Sequence, residues 1–277
     1  MQEVIFIASL SHSGSTLLDL ILGGHPCFVG LGEVARVLEP GPTGLEKTRQ
    51  VLCSCGSRMD ECVFWSKVAV ELEAHADLGV GAKYQIVLET FESVFGPDHI
   101  PVDSSKYIPP LRILHQNNQI DVRVLYIIKD VRAYVVSQID DAKRENFGLR
   151  RRLPVYQFWS WYRGNQRMQR FLAEHNVQNF QLGYEELCLH PDVMIQKICD
   201  FLGETPAPSM TALQDSGSHV IRGNRMRFQS EKRQRISYDH RWFRRNEWVL
   251  PAAFFPNIMK YNAREVYSNG TTDVWNK

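Results

Sequence analysis

A strand, a polar loop and a helix follow one another at the start of the chain, and this succession restricts the fold more than any other feature. Residues 4–8 form a short apolar run with β-prone side chains, typical of a buried parallel strand. Residues 17–22 have a helical pattern that Gly23 and Gly24 end. The loop between them leaves free backbone N–H groups at the positive end of the helix, where phosphate binds readily. The simpler alternative is a serine-rich turn that only caps the helix.

The same order of elements recurs in the middle of the chain. A second apolar run covers residues 122–128 and leads into Lys129, and a helical pattern begins at Ala133. Two such units predict one parallel sheet. We therefore expect a single α/β domain over residues 1–277, with a P-loop-like parallel sheet flanked by helices. Further patterns predict helices over residues 34–38, 82–95, 156–175 and 193–202, a strand end at residues 101–106, and a helical C-terminal cover that contains Trp242 and Trp248.

The charge balance excludes several classes of partner. The 277 residues include 32 Lys and Arg against 31 Asp and Glu, which gives a net charge of +1. A chain this neutral has no global basic field to steer it onto nucleic acid or an anionic membrane, so we expect neither partner. The N-terminus lacks a secretory signature, and no apolar run approaches the roughly 18 residues of a membrane span, which favours a cytoplasmic protein.

The first loop offers hydroxyl groups but not the motif of a nucleoside triphosphatase. Ser13, Ser15 and Thr16 can add donors to the N–H groups of the helix start. The phosphate-binding loop of triphosphatases reads G-x-x-x-x-G-K-[ST], and this sequence lacks both its first glycine and the lysine before Ser15. We therefore do not expect a triphosphatase.

Five short motifs in one order resemble a known family. The run from His12 to Leu18, followed by Gly24-His25-Pro26 and Leu31-Gly32-Glu33, resembles the phosphosulfate loop region of sulfotransferases that use 3′-phosphoadenosine 5′-phosphosulfate (PAPS). The likeness is greatest to the branch that includes tyrosylprotein sulfotransferases and many bacterial enzymes. The other motifs are Asp103-Ser104-Ser105-Lys106, Lys129-Asp130-Val131-Arg132 with Ser137, Tyr184-Glu185-Glu186-Leu187 with His190-Pro191, and Gly223-Asn224-Arg225-Met226-Arg227. The resemblance covers most of the chain and implies the sulfotransferase fold.

The resemblance also implies which residues bind PAPS and its product, 3′-phosphoadenosine 5′-phosphate (PAP). It assigns the 5′-phosphosulfate to Ser11, His12, Ser13, Gly14, Ser15, Thr16 and Leu17. The later motifs supply Lys129, Arg132 and Ser137 for the 3′-phosphate, Tyr184 for the nucleotide pocket, and Gly223, Asn224 and Arg225 for a covering loop. Lys129 and Ser137 lie one strand end and two helical turns apart, so both can face one phosphate if the helix begins near Val131. The simpler alternative for this motif is a solvated surface turn.

Three side chains are candidates for the chemistry that the resemblance implies. Glu33 stands where the tyrosylprotein branch has its catalytic glutamate and is the candidate base, although an exposed acid at a helix start is the simpler alternative. His12, at the family's Lys or Arg position, and Lys106 would stabilise charge on the transferring and leaving groups without a metal. With a reference pKa of about 6.5, His12 can be a cation, a neutral donor or a base. Lys129 replaces a more frequent arginine and keeps its charge without bidentate geometry.

Together these residues predict an enzyme, a PAPS-dependent sulfotransferase that moves a sulfuryl group to a hydroxyl or amine. A small molecule such as a secondary metabolite is the expected acceptor, because no signal sequence or membrane anchor is present in the sequence. Residues 39–100, an insertion with cysteines and helices, are expected on the acceptor side. The alternatives are a nucleotide kinase or triphosphatase, and a nucleotide-binding protein without catalytic activity.

Three of the six cysteines lie close together in the stretch "CSCGSRMDEC". Cys53, Cys55 and Cys62 could be metal ligands or could form a disulfide loop. Zinc needs four ligands, C-x-C is not the usual C-x₂-C hairpin, and His75 lies too far along the chain to be nominated. We therefore expect no metal site and a structural role for these cysteines, with free thiols or one bridge.

Two basic runs do not change this interpretation. Residues 150–152 predict a solvated face or a contact for an anionic acceptor. The run over residues 222–235 overlaps the last motif, which puts Arg222, Arg225 and Arg227 near the 3′-phosphate. Neither run is accompanied by a nucleic-acid-binding motif.

Overall fold

The chain is built on one β-sheet. The structure is a computed structural model that describes residues 2–39, 44–223, 225–228 and 235–270. Its strands are β1 (Gln2–Ser9), β2 (Phe28–Gly32), β3 (Ile100–Lys106), β4 (Ile120–Ile128) and β5 (Asn179–Gly183). They form a five-stranded parallel sheet in the order β2-β3-β1-β4-β5, flanked by helices. The predicted α/β fold is confirmed.

Helices connect and flank the strands. They are α1 (Ser15–Leu22), α2 (Val34–Leu38), α3 (Leu45–Thr48), α4 (Trp65–Ala74), α5 (Val80–Phe95), α6 (Ile108–His115), α7 (Val131–Arg144), α8 (Pro154–Glu174), α9 (Tyr184–Leu189), α10 (Pro191–Leu202), α11 (Val249–Phe254) and α12 (Pro256–Val266). The helices predicted from the sequence are present, and α1, α5, α7, α8 and α10 each begin two residues earlier than expected. In the described ranges, no helix combines the length and the apolar character needed to cross a bilayer.

Two strands, β2 and β5, were not predicted from the sequence. β2 contains two glycines in five residues, and β5 begins with a polar residue, so neither has a continuous apolar run to indicate it. β2 is nevertheless buried along its whole length, and β1 and β3 are buried beyond their first residues. Strands that are covered on both faces need apolar side chains at successive positions, which explains the nearly continuous apolar sequence of β1.

The chain divides into two compact units. The first unit consists of Met1–Ala8, Ser15–Val124 and Glu204–Ile236, and the second of Ser9–Gly14, Leu125–Gly203 and Ser237–Lys277. Each unit therefore combines segments that are distant in the sequence. The single domain expected from the sequence stays a prediction, and residues 40–43, predicted as a loop, lie outside the described residues.

In the first unit, a buried carboxylate joins α1 to β2 and β3. Asp19 is 0% exposed, and its Oδ2 accepts hydrogen bonds from Ser104 Oγ at 2.7 Å and Gly32 N at 3.2 Å. Its Oδ1 has no partner among the described residues, and a Cβ added to Gly30 would lie 1.9 Å from it. Burial raises the pKa of Asp19 to about 7, against a smaller lowering by its hydrogen bonds. The neutral acid is therefore the stable form over much of the acidic range.

In the second unit, buried polar groups fix the start of α7. Asp130 accepts hydrogen bonds from Arg132 N at 2.8 Å and from the Arg132 guanidinium at 2.7 and 2.9 Å. Asn262 Oδ1 accepts from Val131 N at 2.7 Å, and Glu185 Oε2 accepts from Asp130 N at 3.0 Å. The first two N–H groups of α7 are thus already bonded. These two N–H groups are therefore not available to an anion at the helix start, and one placed there would have to be bound by side chains.

Replacing Asp19 by Asn should remove a pH dependence of stability. An acid with a pKa of about 7 when folded and 3.8 when unfolded loses its proton on unfolding at intermediate pH, so stability falls as pH rises between these values. We expect the free energy of unfolding of the native chain to fall by up to about 4 kcal/mol over this window. That of Asp19→Asn should fall markedly less.

Urea denaturation at about pH 4 and about pH 8 measures this difference. Asp200→Asn is the control, because Asp200 is exposed on α10 and its side chain accepts a surface hydrogen bond from Gln196. Equal pH dependence in the native chain and in Asp19→Asn would show that Asp19 is ionised in the folded state.

Candidate functional site

The loop after β1 turns through two residues in the left-handed conformation. His12 has φ 65° and Gly14 has φ 99°, and α1 begins at the next residue. The predicted phosphosulfate residues Ser13, Ser15, Thr16 and Leu17 are all buried. The left-handed conformation costs a residue other than glycine about 1–2 kcal/mol. Contacts from the surrounding structure must therefore hold His12 in place.

Helix α7 provides those contacts within the second unit. Gln138 Nε2 donates a hydrogen bond to the backbone oxygen of Ser11 at 3.0 Å. Three residues further along the helix, Asp141 Oδ2 lies 3.2 Å from His12 Nε2, and a protonated imidazole forms an ion pair there. The side chains of His12 and Asp141 are 24% and 18% exposed. The loop is thus attached to α7 at two successive residues.

Gly14 lies against the ring of Tyr184, the first residue of α9. A Cβ added to Gly14 would lie 2.5 Å from Tyr184 Cδ2 and 3.3 Å from Ile127 Cδ1. The close ring and the positive φ each require glycine at this position. The Tyr184 hydroxyl accepts a hydrogen bond from Asp239 N at 3.2 Å. Tyr184, predicted for the nucleotide pocket, therefore contacts the first loop directly.

The ammonium group of Lys129 is buried just after β4. Its Nζ donates to Ser137 Oγ at 3.2 Å and lies 4.8 Å from the centre of the Tyr184 ring. Lys129 is 4% exposed and Ser137 is 9% exposed. Trp161 Nε1 donates to the backbone oxygen of Lys129 at 2.9 Å and fixes the chain there. The structure thus brings together Lys129, Ser137 and Tyr184, and the Tyr184 ring adjoins Gly14 of the loop.

A carboxylate accompanies this buried cation. Asp239 Oδ2 lies 3.6 Å from Lys129 Nζ. Burial by itself raises the pKa of Asp239, but the hydrogen bonds of Arg241 and the charges of Lys129 and Arg241 outweigh it and hold the pKa below its usual range. The ionised carboxylate offsets the charge of Lys129, and an anion bound to Lys129 has to compete with it.

Arg132 belongs to a different group of contacts. Its guanidinium is bonded to Asp130 and lies 4.4 Å from the ring centre of Trp242 and 5.8 Å from that of Trp248. It therefore supports the start of α7 and packs on the C-terminal aromatic residues. Its predicted contact with the 3′-phosphate stays a prediction.

In the first unit, β3 ends at a lysine that contacts Glu33. Lys106 Nζ donates a hydrogen bond to Glu33 Oε1, and their side chains are only 9% and 14% exposed. Arg36 Nε lies 3.5 Å from the other carboxylate oxygen of Glu33. Glu33 therefore lies between two cations and is largely buried, which does not fit the alternative of an exposed acid at a helix start.

Backbone strain coincides with two catalytic candidates. Among the residues that the structure describes, the non-glycine residues with positive φ are Asn146, Asn176, His12 and Lys106. Asparagine tolerates this conformation, whereas histidine and lysine adopt it at a cost. Such strain persists where surrounding contacts enforce it, and it is concentrated at functional sites.

The other side chains of the Asp103-Ser104-Ser105-Lys106 motif hold the end of β3. Asp103 accepts hydrogen bonds from Ser105 N at 2.8 Å, Ser105 Oγ at 2.5 Å and Tyr84 OH at 2.9 Å. Ser105 Oγ in turn accepts from Ala35 N at 2.9 Å in α2. Burial raises the pKa of Asp103 to about 6, against the lowering by these hydrogen bonds. Lys106 is the residue of the motif that reaches Glu33.

The predicted covering loop is described only in part. Gly223 has φ 136°, and residues 225–228 form one helical turn. Asn224 and the side chains of Arg225 and Arg227 lie outside the described residues. Arg222 donates to Thr48 Oγ1 at 2.9 Å within the first unit. The nucleotide contacts expected from this loop stay predictions.

Two carboxylates of the site were not among the predicted residues. Asp141 lies four residues after Ser137 on α7, so the helical face that carries Ser137 could have indicated it. Asp239 lies in no motif and more than 100 positions from Lys129 in the sequence, so no local signal could have paired them.

Solved structures share this architecture. Neither a family model nor a curated protein sequence matches the chain. A sulfotransferase domain from the curacin biosynthetic pathway is 20% identical, with a TM-score of 0.59 and 97% of each chain covered. The chain has the sulfotransferase fold. A sulfotransferase domain from the Synechococcus PCC 7002 olefin synthase agrees, with 18% identity and a TM-score of 0.54 over 92% of this chain and 94% of that one. Identities this low show the fold alone, so function has to be argued from the site.

In this sulfotransferase fold, Gly14→Ala should lower the free energy of unfolding by more than the cost of placing alanine at a positive φ. Gly96 is the matched control, because it has φ 87° but no atom within 4 Å of an added Cβ. We expect Gly96→Ala to cost about 1–2 kcal/mol through its φ. Gly14→Ala should cost more, since it must also displace the Tyr184 ring. Chemical denaturation compares the two, and equal losses would mean that the Tyr184 contact yields without cost.

Proposed function

We propose that the chain is a sulfotransferase that moves the sulfuryl group of PAPS to a hydroxyl or amine of a small-molecule acceptor. The observation that carries this proposal is that α7 supports two candidate anion sites at once. Ser137 contacts Lys129, while two further side chains of the same helix hold the loop at residues 11 and 12. A ligand with two separate anionic groups fits such an arrangement, and PAPS has a phosphosulfate and a separate 3′-phosphate.

The 3′-phosphate is assigned to Lys129 and Ser137. An ammonium group has three donors, and only one of them is directed at Ser137. The 3.6 Å separation from Asp239 is longer than a hydrogen bond, so this carboxylate balances charge without a strong bond. A phosphate with several acceptor oxygens is a better partner for Lys129 than Asp239 is. Tyr184, whose ring adjoins both Lys129 and Gly14, forms a wall of the same site.

The 5′-phosphosulfate is assigned to the loop from Ser11 to Leu17. The buried hydroxyls of Ser13 and Ser15 and the N–H groups at the start of α1 are the available donors. Gly14 lets the backbone turn sharply between these serines. His12 is held by Asp141 and adds positive charge to the loop when its imidazole is protonated.

The chemistry is assigned to Lys106 and Glu33. PAPS supplies the sulfuryl group on a phosphosulfate anhydride. The Glu33 carboxylate takes the proton of the acceptor hydroxyl or amine as the acceptor atom bonds to sulfur. The Lys106 ammonium stabilises the negative charge that the phosphate oxygen gains when its bond to sulfur breaks. The mutual contact of the two side chains offsets the cost of burying either charge.

Calorimetry with PAP, ADP and ATP tests the proposed donor. We expect PAP to bind and ADP and ATP to bind far more weakly, with or without magnesium, because only PAP has a 3′-phosphate for Lys129. Labelled PAPS then allows a screen of small-molecule acceptors. Magnesium-dependent turnover of ATP would overturn the proposal in favour of a kinase or triphosphatase.

Lys129→Ala should weaken PAP binding selectively. Loss of a charge-assisted hydrogen bond to phosphate costs about 1.5–3 kcal/mol, which corresponds to roughly a 10- to 150-fold rise in Kd. Adenosine 5′-phosphosulfate lacks the 3′-phosphate, so its affinity should change little. An equal loss for the two ligands would contradict the assignment of the 3′ site.

Asp239→Asn is the matched variant, and its expected effect on PAP affinity is opposite to that of Lys129→Ala. It removes the carboxylate that competes for Lys129 while it keeps the size of the side chain. We expect PAP to bind several-fold more tightly to this variant, and adenosine 5′-phosphosulfate to bind as before. Weaker PAP binding in Asp239→Asn would mean that the carboxylate positions Lys129 rather than competing for it.

Glu33→Gln should lower turnover of labelled PAPS with an acceptor found in the screen. A positioned general base contributes about 10²- to 10⁴-fold to rate, so kcat should fall within that range while PAP affinity is retained. Glu39→Gln is the control, because both acids contact Arg36 but only Glu33 contacts Lys106. Unchanged kcat in Glu33→Gln would exclude Glu33 as the base.

A further inference from the structure

Three cysteines and a distant histidine converge in the first unit. Cys53, Cys55, Cys62 and His219 each offer one ligand atom, and these four atoms all lie within 4.8 Å of one another. The Sγ of Cys62 is 3.8 Å from that of Cys53 and 3.9 Å from that of Cys55. His219 Nδ1 is 3.2 Å from the Sγ of Cys62 and 3.9 Å from that of Cys53. The fourth ligand that the cysteine stretch lacked comes from a residue 157 positions after Cys62.

These separations fit a tetrahedral metal ion. With Zn–S bonds of about 2.3 Å and Zn–N bonds of about 2.05 Å, ligand atoms around zinc lie about 3.8 Å apart for two sulfurs and about 3.6 Å apart for sulfur and nitrogen. The two sulfur–sulfur distances, 3.8 and 3.9 Å, agree with the first value, and the two sulfur–nitrogen distances, 3.2 and 3.9 Å, bracket the second. A disulfide requires a separation of about 2.05 Å. The three cysteines are instead free thiols with a histidine directed at them.

We propose that Cys53, Cys55, Cys62 and His219 bind one zinc ion in a structural site. Three thiolates and one imidazole are a common donor set for structural zinc, and soft sulfur ligands favour zinc over magnesium or calcium. All four positions are filled by side chains, which leaves none for a reactive water. The site therefore stabilises the fold and takes no part in sulfuryl transfer. This inference departs from the sequence-based expectation of no metal and is independent of the proposed function.

The backbone around the cysteines forms a tight turn that suits ligation. Cys53 N donates to Ser57 O at 2.8 Å, and Gly56 N donates back to Cys53 O at 3.0 Å. Gly56 has φ 93°, so the turn directly after Cys55 depends on a glycine. Cys53 and Cys62 are fully buried, whereas Cys55 is exposed. The turn thus directs two thiols inward and one to the outside of the same cluster.

Hydrogen bonds position His219 independently of any metal. Ser54 Oγ donates to Ser218 O at 2.7 Å and accepts from Val220 N at 2.8 Å, on either side of the histidine. Trp65 Nε1 donates to His219 O at 2.6 Å, and His219 N donates to Gly30 O of β2 at 2.6 Å. This support fixes the orientation of the ligand, as the second shell of a metal site does.

The segment that supplies His219 also lies against β2, the strand that precedes Glu33. Ile221 N donates to Leu31 O at 3.3 Å, and a Cβ on Gly32 would lie 2.6 Å from Arg222 O. Zinc at His219 therefore stabilises the chain beside β2. Its removal is expected to lower the stability of the first unit rather than to change a step of the reaction.

Metal analysis of the full chain, produced in zinc-supplemented medium, tests the proposal. We expect about one zinc per chain in the native protein and little in Cys55→Ser or His219→Asn. Cys55 is exposed, so its replacement by serine removes a ligand without opening a cavity in the core. Cys27→Ser is the control. Cys27 lies outside the cluster, so this variant should keep its zinc. Substitution with Co²⁺ should give the visible bands of a tetrahedral thiolate site in the native chain and in Cys27→Ser only.

Stability gives a second readout. A zinc chelator should lower the Tm of the native chain and of Cys27→Ser, and should leave that of Cys55→Ser unchanged, since this variant has already lost the ion. Two results would overturn the proposal. One is a folded native chain that contains no zinc and keeps its Tm with added chelator. The other is a disulfide among Cys53, Cys55 and Cys62 in the mass spectrum of the unreduced protein.

Discussion

Two buried ammonium groups, one on the last residue of a strand and one just after a strand, each face a carboxylate, and the proposed function depends on them. Lys106 ends β3 and contacts Glu33, and Lys129 follows β4 and lies near Asp239. An unpaired charge in either place would cost several kcal/mol. The carboxylates are what the chain itself supplies to offset that cost. The proposed donor, with its phosphate and sulfonate groups, would supply the same compensation with more acceptor atoms.

The backbone adapts to this electrostatic arrangement. His12 and Lys106 both adopt a left-handed conformation that their side chains do not favour, and each is held by a carboxylate. Helix α7 contributes to two parts of the second unit, because one of its faces contacts both the first loop and the buried Lys129. The first two N–H groups of α7 are already bonded, so the proposed phosphate site beside this helix depends on side chains. Replacing one side chain on that face therefore affects the loop, the cation or both.

The sequence predicted the parts of this arrangement that depend on local order. The strand, loop and helix around Gly14, and the spacing of Lys129 and Ser137, follow from short-range patterns and appear in the structure. β2 could not be predicted in this way, because its glycines make room for α1 and for the segment at Arg222 rather than form an apolar run. Asp239 and His219 are contributed by distant segments, and no local pattern contains such pairings. The motif likewise gave no sign that the guanidinium of Arg132 is bonded to the buried Asp130, and its predicted contact with a phosphate stays a prediction.

The contact between the cysteine turn and the segment around His219 also has an entropic consequence. Joining Cys62 to His219 closes a loop of 157 positions that includes the whole stretch Leu125–Gly203 of the second unit. Closing a loop of that length in an unfolded chain costs about 5 kcal/mol. The contacts between these two parts of the chain, with or without a metal ion, have to offset this cost in the folded state.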